Sequence, residues 1–482
     1  MLSLHILQII GSLKEEEIAA LNDFIYSPYF NKSKTIQKLW EVVKLREKKL
    51  DDPDFSNQEL FEIVFEGKKY NYGTMKNLIH SFSVLLEQFL EIQFHREDKF
   101  QVDYNTLVYS IVKYYPEFFN KKFSRIIKEF KKTSEGSDYH FLYKYQLSRL
   151  AASFAAIESK RDKILFEQGD ALVNFFIIHL FQVYHNIKIY YNAENYKQKG
   201  NIIEDLLEIL DLERIMEKIR TNNPKDFEIV NLYYNLYLSL KDTDNSENFF
   251  NFKKLLLKSR NKIHLFEFED LANSFVNLMQ SRSYSGIEGS QKEFADFYKF
   301  LYKSNIFFSN TESKISLLNF SLYLKNYFEA LDTEYAKLFY NENLSKLVEK
   351  DKETIINFYL AYESYVARDF NKALEYSAKL KMDIDRFKIT VKDLQLKCYF
   401  ELNETESFKY TLDSFRKLIY RRGTINNQKK EYTKNYLNLI NLLFEYKVFH
   451  KDNLDEIKIQ ISERKMLNKE WIIAKLKEIE ER

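Results

Sequence analysis

Four prolines and nine glycines are all that 482 residues contain. Hairpins, sheet edges and phosphate-cradling loops consume both residue types, so a chain this poor in them is confined to helices joined by short polar turns. One compact core is not expected at such a length; several domains or one elongated array are. With 42 Phe and 35 Tyr, the spaces between helices are filled by large rings, and a tyrosine can keep its hydroxyl wet at a groove edge.

The 73 basic and 71 acidic residues leave a net charge of +2. No global field draws such a chain onto nucleic acid or an acidic membrane, so any such attraction must be local. The single cysteine, Cys398, excludes an intrachain disulfide framework and a Cys-rich zinc site, and fits a reducing compartment. The opening run MLSLHILQIIGSLKEEE lacks a basic leader. Ala171 to Ile187 carries no formal charge but holds Asn174, His179, Gln182, His185 and Asn186, each costly in hydrocarbon. A helix buried between neighbours is therefore expected there, in a cytoplasmic protein with no membrane span.

Apolar spacing predicts helices over Lys14–Tyr26, ending before Pro28, and around Ile36, Leu39, Trp40 and Val43. Ser56 and Glu59 form a capping box opening SNQELFEIVF, Gly67 is its stop, and a long helix follows from Thr74. This start resembles the helix-turn-helix core of winged-helix domains over Ser56–Phe94. The early exposed positions of the long helix are Lys76, Asn77, His80 and Ser81, with no arginine, which departs from a DNA reader because Arg and Lys supply most phosphate and guanine contacts. The expected divisions are a helical module over 1–98, long helices over 99–225, a helical-hairpin array over 226–450 and capping helices over 451–482. In the last, Trp471, Ile472, Leu476 and Ile479 share one face.

Within the array the helices come in pairs: Phe227–Leu240 with Ser246–Ser259, Phe266–Met279 with Gln291–Tyr302, Ile315–Tyr327 with Glu329–Leu347, Glu353–Ala367 with Asn371–Leu380, and Asp385–Leu402 with Ser407–Tyr420. A pair recurring at tens of residues indicates stacking, since one pair cannot bury both its faces alone. The stretch NFYLAYESYVARDFNKALEYSAKL resembles a tetratricopeptide (TPR) repeat: Leu360-Ala361 in the first helix, Asp369-Phe370 at the turn and Ala373-Leu374-Glu375-Tyr376 opening the second. Thirty-four residues on, Leu394 repeats Leu360 and Ser407 repeats Ala373. Arg368 stands where the family has its turn glycine, Glu404 replaces Phe370, and no proline follows either unit. The expected fold is thus all-α, an irregular TPR-like α-α superhelix (solenoid) with a small N-terminal helical module. The SPYFNK turn and the NKEW helix also resemble an uncharacterised bacterial protein family, a likeness that carries no activity.

Signatures of chemistry are missing. GKKYNYG and GIEG make no phosphate or dinucleotide loop, and no G-x-S-x-G or HExxH occurs. Glu87, Glu91 and His95 share a helix face, but no second helix offers matching ligands. Cys398 sits among Leu396, Tyr399 and Phe400 as core. No cofactor, metal or catalytic residue is expected. Two basic stripes are candidate anion or acidic-partner patches: Lys121, Arg125, Lys128 and Lys132, and Arg416, Lys417, Arg421 and Arg422. A solvated helix surface is the plainer reading of each. By the TPR likeness, Phe358, Tyr362 and Tyr365 would line an inner groove for a peptide, with interhelix core as the alternative. The expected function is a non-catalytic scaffold for a protein or peptide partner; the alternative is a nucleic-acid-associated regulator using the helix-turn-helix-like start and the basic stripes.

Overall fold

The computed structural model describes residues 4–45, 57–130, 138–154, 161–194, 200–304, 306, 315–380, 385–421, 425, 427–451 and 453–481. Among these, every regular element is a helix, and the only β-type pairing is an isolated parallel bridge between Ile315 and Leu347. Two compact units result: one runs through Phe130 and takes in Phe154, and the other holds the remaining residues.

The first unit contains α1 (Leu4–Ser12), α2 (Glu15–Tyr26), α3 (Lys34–Leu45), α4 (Asn57–Val64), α5 (Tyr72–Glu97), α6 (Lys99–Val112) and α7 (Pro116–Phe130). Ser56 of the expected capping box lies outside the described residues, and Gly67 turns the chain beyond α4 at φ 75°. Helices α2 and α3 pack on α5 and on each other, burying Leu21, Phe24, Trp40, Phe61, Phe82 and Phe89. Each such fully buried aromatic contributes about 1.5–3 kcal/mol relative to exposure. The SPYFNKS turn is held by Asn31, whose buried Nδ2 donates to the Ile25 carbonyl at 2.9 Å while its Oδ1 accepts from the Ser33 amide at 2.8 Å. Phe30 stacks on Phe24 at 4.2 Å, so the turn is tied into the core.

The second unit continues with α8 (Asp138–Ser153), α9 (Arg161–Glu194), α10 (Ile202–Ile209), α11 (Leu212–Asn222), α12 (Pro224–Lys241), α13 (Ser246–Ser259), α14 (Leu265–Ser285), α15 (Ser290–Lys303), α16 (Leu317–Glu329) and α17 (Thr333–Asn343). It ends with α18 (Glu349–Val366), α19 (Phe370–Ala378), α20 (Asp385–Leu402), α21 (Thr405–Ile419), α22 (Asn427–Phe449), α23 (Leu454–Glu463) and α24 (Lys469–Glu480). From α12 to α16 each helix packs on its sequence neighbour, and the same holds from α18 to α22. The apolar run of α9 is buried on one face only: Ala171, Ile177, Ile178 and Phe181 are buried, while Leu172, Val173, Phe176 and Val183 are exposed, so the expected burial between neighbours holds for half of it. Asn174 donates to Asp226 at 3.4 Å, and Lys144 of α8 pairs with the same carboxylate at 2.8 Å. No helix among the described residues is long and apolar enough to cross a membrane.

Three hairpins of the second unit turn in the same way on a residue that carries a side chain, as the α6–α7 turn does at Tyr114 in the first unit. Leu331, Arg368 and Asn403 adopt φ of 57°, 62° and 58°, the left-handed region that disfavours side chains. The amides of Leu331 and Arg368 each donate three residues back at 3.0 Å, and those of Asp332 and Asp369 five residues back at 2.9 Å. This double bond satisfies the last carbonyls of the preceding helix. Asn403 and Glu404 repeat the pattern at 3.5 and 3.2 Å. Arg368 therefore takes the backbone conformation that a turn glycine supplies, without the glycine. Asp332 and Asp369 then cap the next helix, accepting from the Tyr335 and Lys372 amides.

The last helices fold back onto earlier ones. Helix α22 packs on α9 as well as on α21, and α24 packs on α14. The Met466 amide donates to the Tyr284 carbonyl at 2.9 Å, and the Ser290 amide donates to Glu470 at 2.9 Å. Gly286 makes the contact possible: it closes α14 at φ 73°, and a Cβ there would come within 2.7 Å of the Lys469 side chain. Trp471, Ile472, Leu476 and Ile479 all join one core with Phe400, Phe408 and Phe444.

Candidate functional site

The expected inner groove is built over. Phe358 and Tyr362 are 0% and 4% exposed. Phe358 packs on Tyr362 and on Phe387 of α20, while Tyr362 stacks on Phe328 of α16. Tyr365 is partly buried, and its hydroxyl accepts from Trp471 Nε1 at 3.0 Å. Small residues explain the closeness: Ala361 and Ala373 are fully buried where α18 and α19 meet. These rings are interhelix core, and the side chain that reaches Tyr365 belongs to the chain's own α24.

Around that contact lies a buried ionic network. Lys397 and Asp393, 5% and 3% exposed, pair at 2.9 Å, with Glu329 3.9 Å from Lys397. Lys325 lies 3.6 Å from Glu329, Lys475 of α24 pairs with Glu401 at 2.5 Å, and Asn468 donates to Asp393 at 2.8 Å. Lys397 also sits over the Trp471 ring, 5.5 Å from its centroid. Lys475 also pairs with the more exposed Glu478 at 2.8 Å, so three lysines meet four carboxylates. Beside them burial pushes the Cys398 thiol up to about 12, which keeps it protonated and unreactive.

The basic stripes fall in different units. On α7, Lys121, Arg125 and Lys128 are exposed, but Arg125 lies 4.0 Å from buried Asp103, which also pairs with Lys122. On α21, Lys417 is exposed, as is Arg421 just beyond the helix, while Arg416 is partly buried and reaches Asp413 at 3.5 Å and Asn438 at 3.3 Å. Lys132 and Arg422 lie outside the described residues. Glu87, Glu91 and His95 are exposed on α5. Among the described residues no three His, Cys, Asp or Glu side chains are grouped to hold a metal ion.

A cavity of about 640 Å³ opens instead between α8, α9, α12 and α14, within the roughly 300–1,000 Å³ of small-ligand sites. Its polar wall is assembled by three helices. Gln182 of α9 donates to the Tyr233 hydroxyl of α12 at 3.2 Å, and that hydroxyl donates to Glu267 of α14. His185 Nε2 and Ser274 Oγ are 2.7 Å apart, and Asp270, Asn273 and His264 complete the rim. Leu236, Phe266 and Leu271 supply apolar surface.

Ser274 Oγ lies 2.7 Å from both the Asp270 carbonyl oxygen and His185 Nε2, and its hydroxyl can donate to either. Burial holds the His185 imidazole down at about 4, so it is neutral at physiological pH.

None of these residues is adjacent in sequence across helices, and no local spacing announced them. The one available signal was the polar set embedded in the apolar run of α9: Asn174, Gln182 and His185 are its contacts to α12 and α14. The chain matches no family model, no curated protein and no solved structure.

Proposed function

We propose that this chain is a non-catalytic, TPR-like helical-repeat scaffold that binds a protein or peptide partner, with the cavity rimmed by Asp270 and His264 as the point of engagement. The observation that carries the reading is that cavity: it gathers charged, amide and aromatic groups from separate helices. The three equivalent turns at Leu331, Arg368 and Asn403 support the repeat character. The aromatic inner face around Phe358 and Tyr362 takes no part, because it is core.

Affinity capture with the intact chain tests this beside two variants, Asp270→Lys at the rim and Lys417→Glu on α21. A partner retained by the intact chain and by Lys417→Glu, but lost from Asp270→Lys, is the expected result. Equal recovery with all three removes the cavity from the reading. Retention of nucleic acid at low salt with a steep salt slope, lost in Lys417→Glu, replaces the scaffold with the nucleic-acid alternative.

A further inference from the structure

A cluster of rings stands in water at the end of the α6–α7 hairpin. Tyr109, Tyr114, Tyr115 and Phe118 are 57%, 79%, 52% and 51% exposed, and Val112 among them is 73% exposed. Large apolar groups left together in water mark an interaction surface. The turn holds them in place: the Tyr114 amide donates to the Ile111 carbonyl at 3.0 Å, and the Tyr115 amide to the Ser110 carbonyl at 2.8 Å. Phe119 is fully buried and stacks on Phe123 and Phe154, which anchors the start of α7 while its neighbours face outward.

The same face of α7 carries positive charge. Phe118, Lys121, Arg125 and Lys128 fall within about 80° of helical arc, and the three cations follow one another at rises of about 6 and 4.5 Å. Lys121 and Lys128 are exposed, and neither pairs with a carboxylate among the described residues. Asp103, 4.0 Å from Arg125, is paired more closely with Lys122. Of the acids on α7, Glu129 is held by Lys99 at 2.6 Å and Glu117 stands exposed at the helix start.

We infer that this hairpin end binds single-stranded nucleic acid, its rings stacking on unpaired bases while Lys121, Arg125 and Lys128 take phosphates. The charge selects an anionic ligand, and the rings select one with flat faces to offer. Stacking on exposed rings beside a basic track is the general chemistry of single-strand binding. A duplex keeps its bases stacked on one another, so the rings gain nothing from it. A lipid surface calls for aliphatic chains at the tip, whereas three of the four rings are tyrosines; a peptide side chain calls for a cleft, whereas these rings project from a hairpin end. The surface belongs to the first unit and the cavity to the second, so the inference goes beyond the scaffold reading and stands apart from it.

Fluorescence anisotropy on the full chain tests it with short labelled oligo-uridine and oligo-thymidine, a duplex of equal length, phosphatidylserine vesicles and poly-glutamate. The single strands are expected to bind about tenfold or more tightly than the duplex, with a log–log salt slope of roughly −2 for about three phosphate contacts. Tyr115→Ala and Phe118→Ala each weaken binding about tenfold and leave the slope in place, whereas Lys121→Gln with Lys128→Gln lowers the slope by about 1. Glu117→Lys tightens binding about threefold or more, a gain that misfolding cannot imitate. Binding of either oligomer alone upholds the inference and names the sugar. Equal binding of duplex and single strand, binding that ignores the ring variants, or no binding at low salt overturns it. So does uptake of vesicles or poly-glutamate alone, or loss of the oligomer in Lys417→Glu, which moves the contact to α21. A partner lost from Asp270→Lys in a chain that binds no oligomer removes this surface and keeps the scaffold; the opposite pattern does the reverse.

Discussion

Where α16, α20 and α24 meet, Lys325, Lys397 and Lys475 face Glu329, Asp393 and Glu401; where α9, α12 and α14 meet, Glu267 and Asp270 face tyrosines, amides and a neutral imidazole. In the first interior the charges are paired with one another. The second is open, and its described lining carries only acid. Charges buried together add little net stability over an apolar filling, but they make one arrangement far better than its neighbours, because removing either partner strands the other. The ionic network therefore fixes where α24 rests. At the cavity the Glu267 carboxylate is instead held by a neutral hydroxyl, that of Tyr233, and the wall stays open between its helices.

The sharpest way to break this contrast is at Lys397. Lys397→Met leaves Asp393 buried beside a methyl group, and unfolding by denaturant should become easier by about 3–5 kcal/mol. Alkylation of Cys398, buried on the same helix, should accelerate with it. Adding Asp393→Leu should recover most of the loss; a double variant as unstable as the single one would show that the pair does more than balance charge.

The next effect belongs to the cavity side and runs with pH. His185 is held at about 4 when folded, against 6.5 when free. Below pH 6.5 the unfolded chain takes up a proton that the folded chain refuses, so this contribution is intact above 6.5 and is lost as pH falls towards 4. The loss amounts to about 3 kcal/mol. His185→Gln removes it, so the difference in stability between this variant and the unaltered chain should change over that window and be flat above it. The ionic network contains no histidine, which assigns the response to one side of the comparison.

A smaller gain is expected at the turns that carry the network. Arg368→Gly relieves a left-handed side-chain residue and should stabilise the chain by about 0.5–1 kcal/mol in the same denaturant assay. The smallest effect is at the cavity rim: Asp270→Asn should move stability by no more than about 0.5 kcal/mol. A large loss there would mean that the carboxylate holds the fold, as Asp393 does, and the two interiors would no longer differ in kind.

Much of the helical framework was readable from residue spacing. The expected pair Asp385–Leu402 with Ser407–Tyr420 is found as α20 and α21, and the face of Trp471, Ile472, Leu476 and Ile479 is the buried face of α24. Such signals are local, since a helix writes its buried stripe into a repeat of three to four residues. What covers a stripe is not local. Phe358, Tyr362 and Tyr365 share a helical face whether an outside peptide or the chain itself fills it, so spacing alone left both readings open. The cavity was less legible still, because Gln182, Tyr233 and Glu267 meet only when three separate helices have taken their places. Arg368 shows the converse limit: a missing glycine looked like a departure from the repeat, yet the backbone turned as though it were present.

The bond between Trp471 and Tyr365 joins positions 106 residues apart. During synthesis at about 5–20 residues per second, Tyr365 leaves the ribosome roughly 5–20 s before its partner exists. Through that interval Lys397 and Asp393 emerge without Asn468 and the Trp471 ring, so the growing chain carries a gap in its interior that only later translation supplies. A ribosome that stalls between these points leaves a nascent chain with helices in place and an unfinished seam, a ready substrate for chaperone or protease.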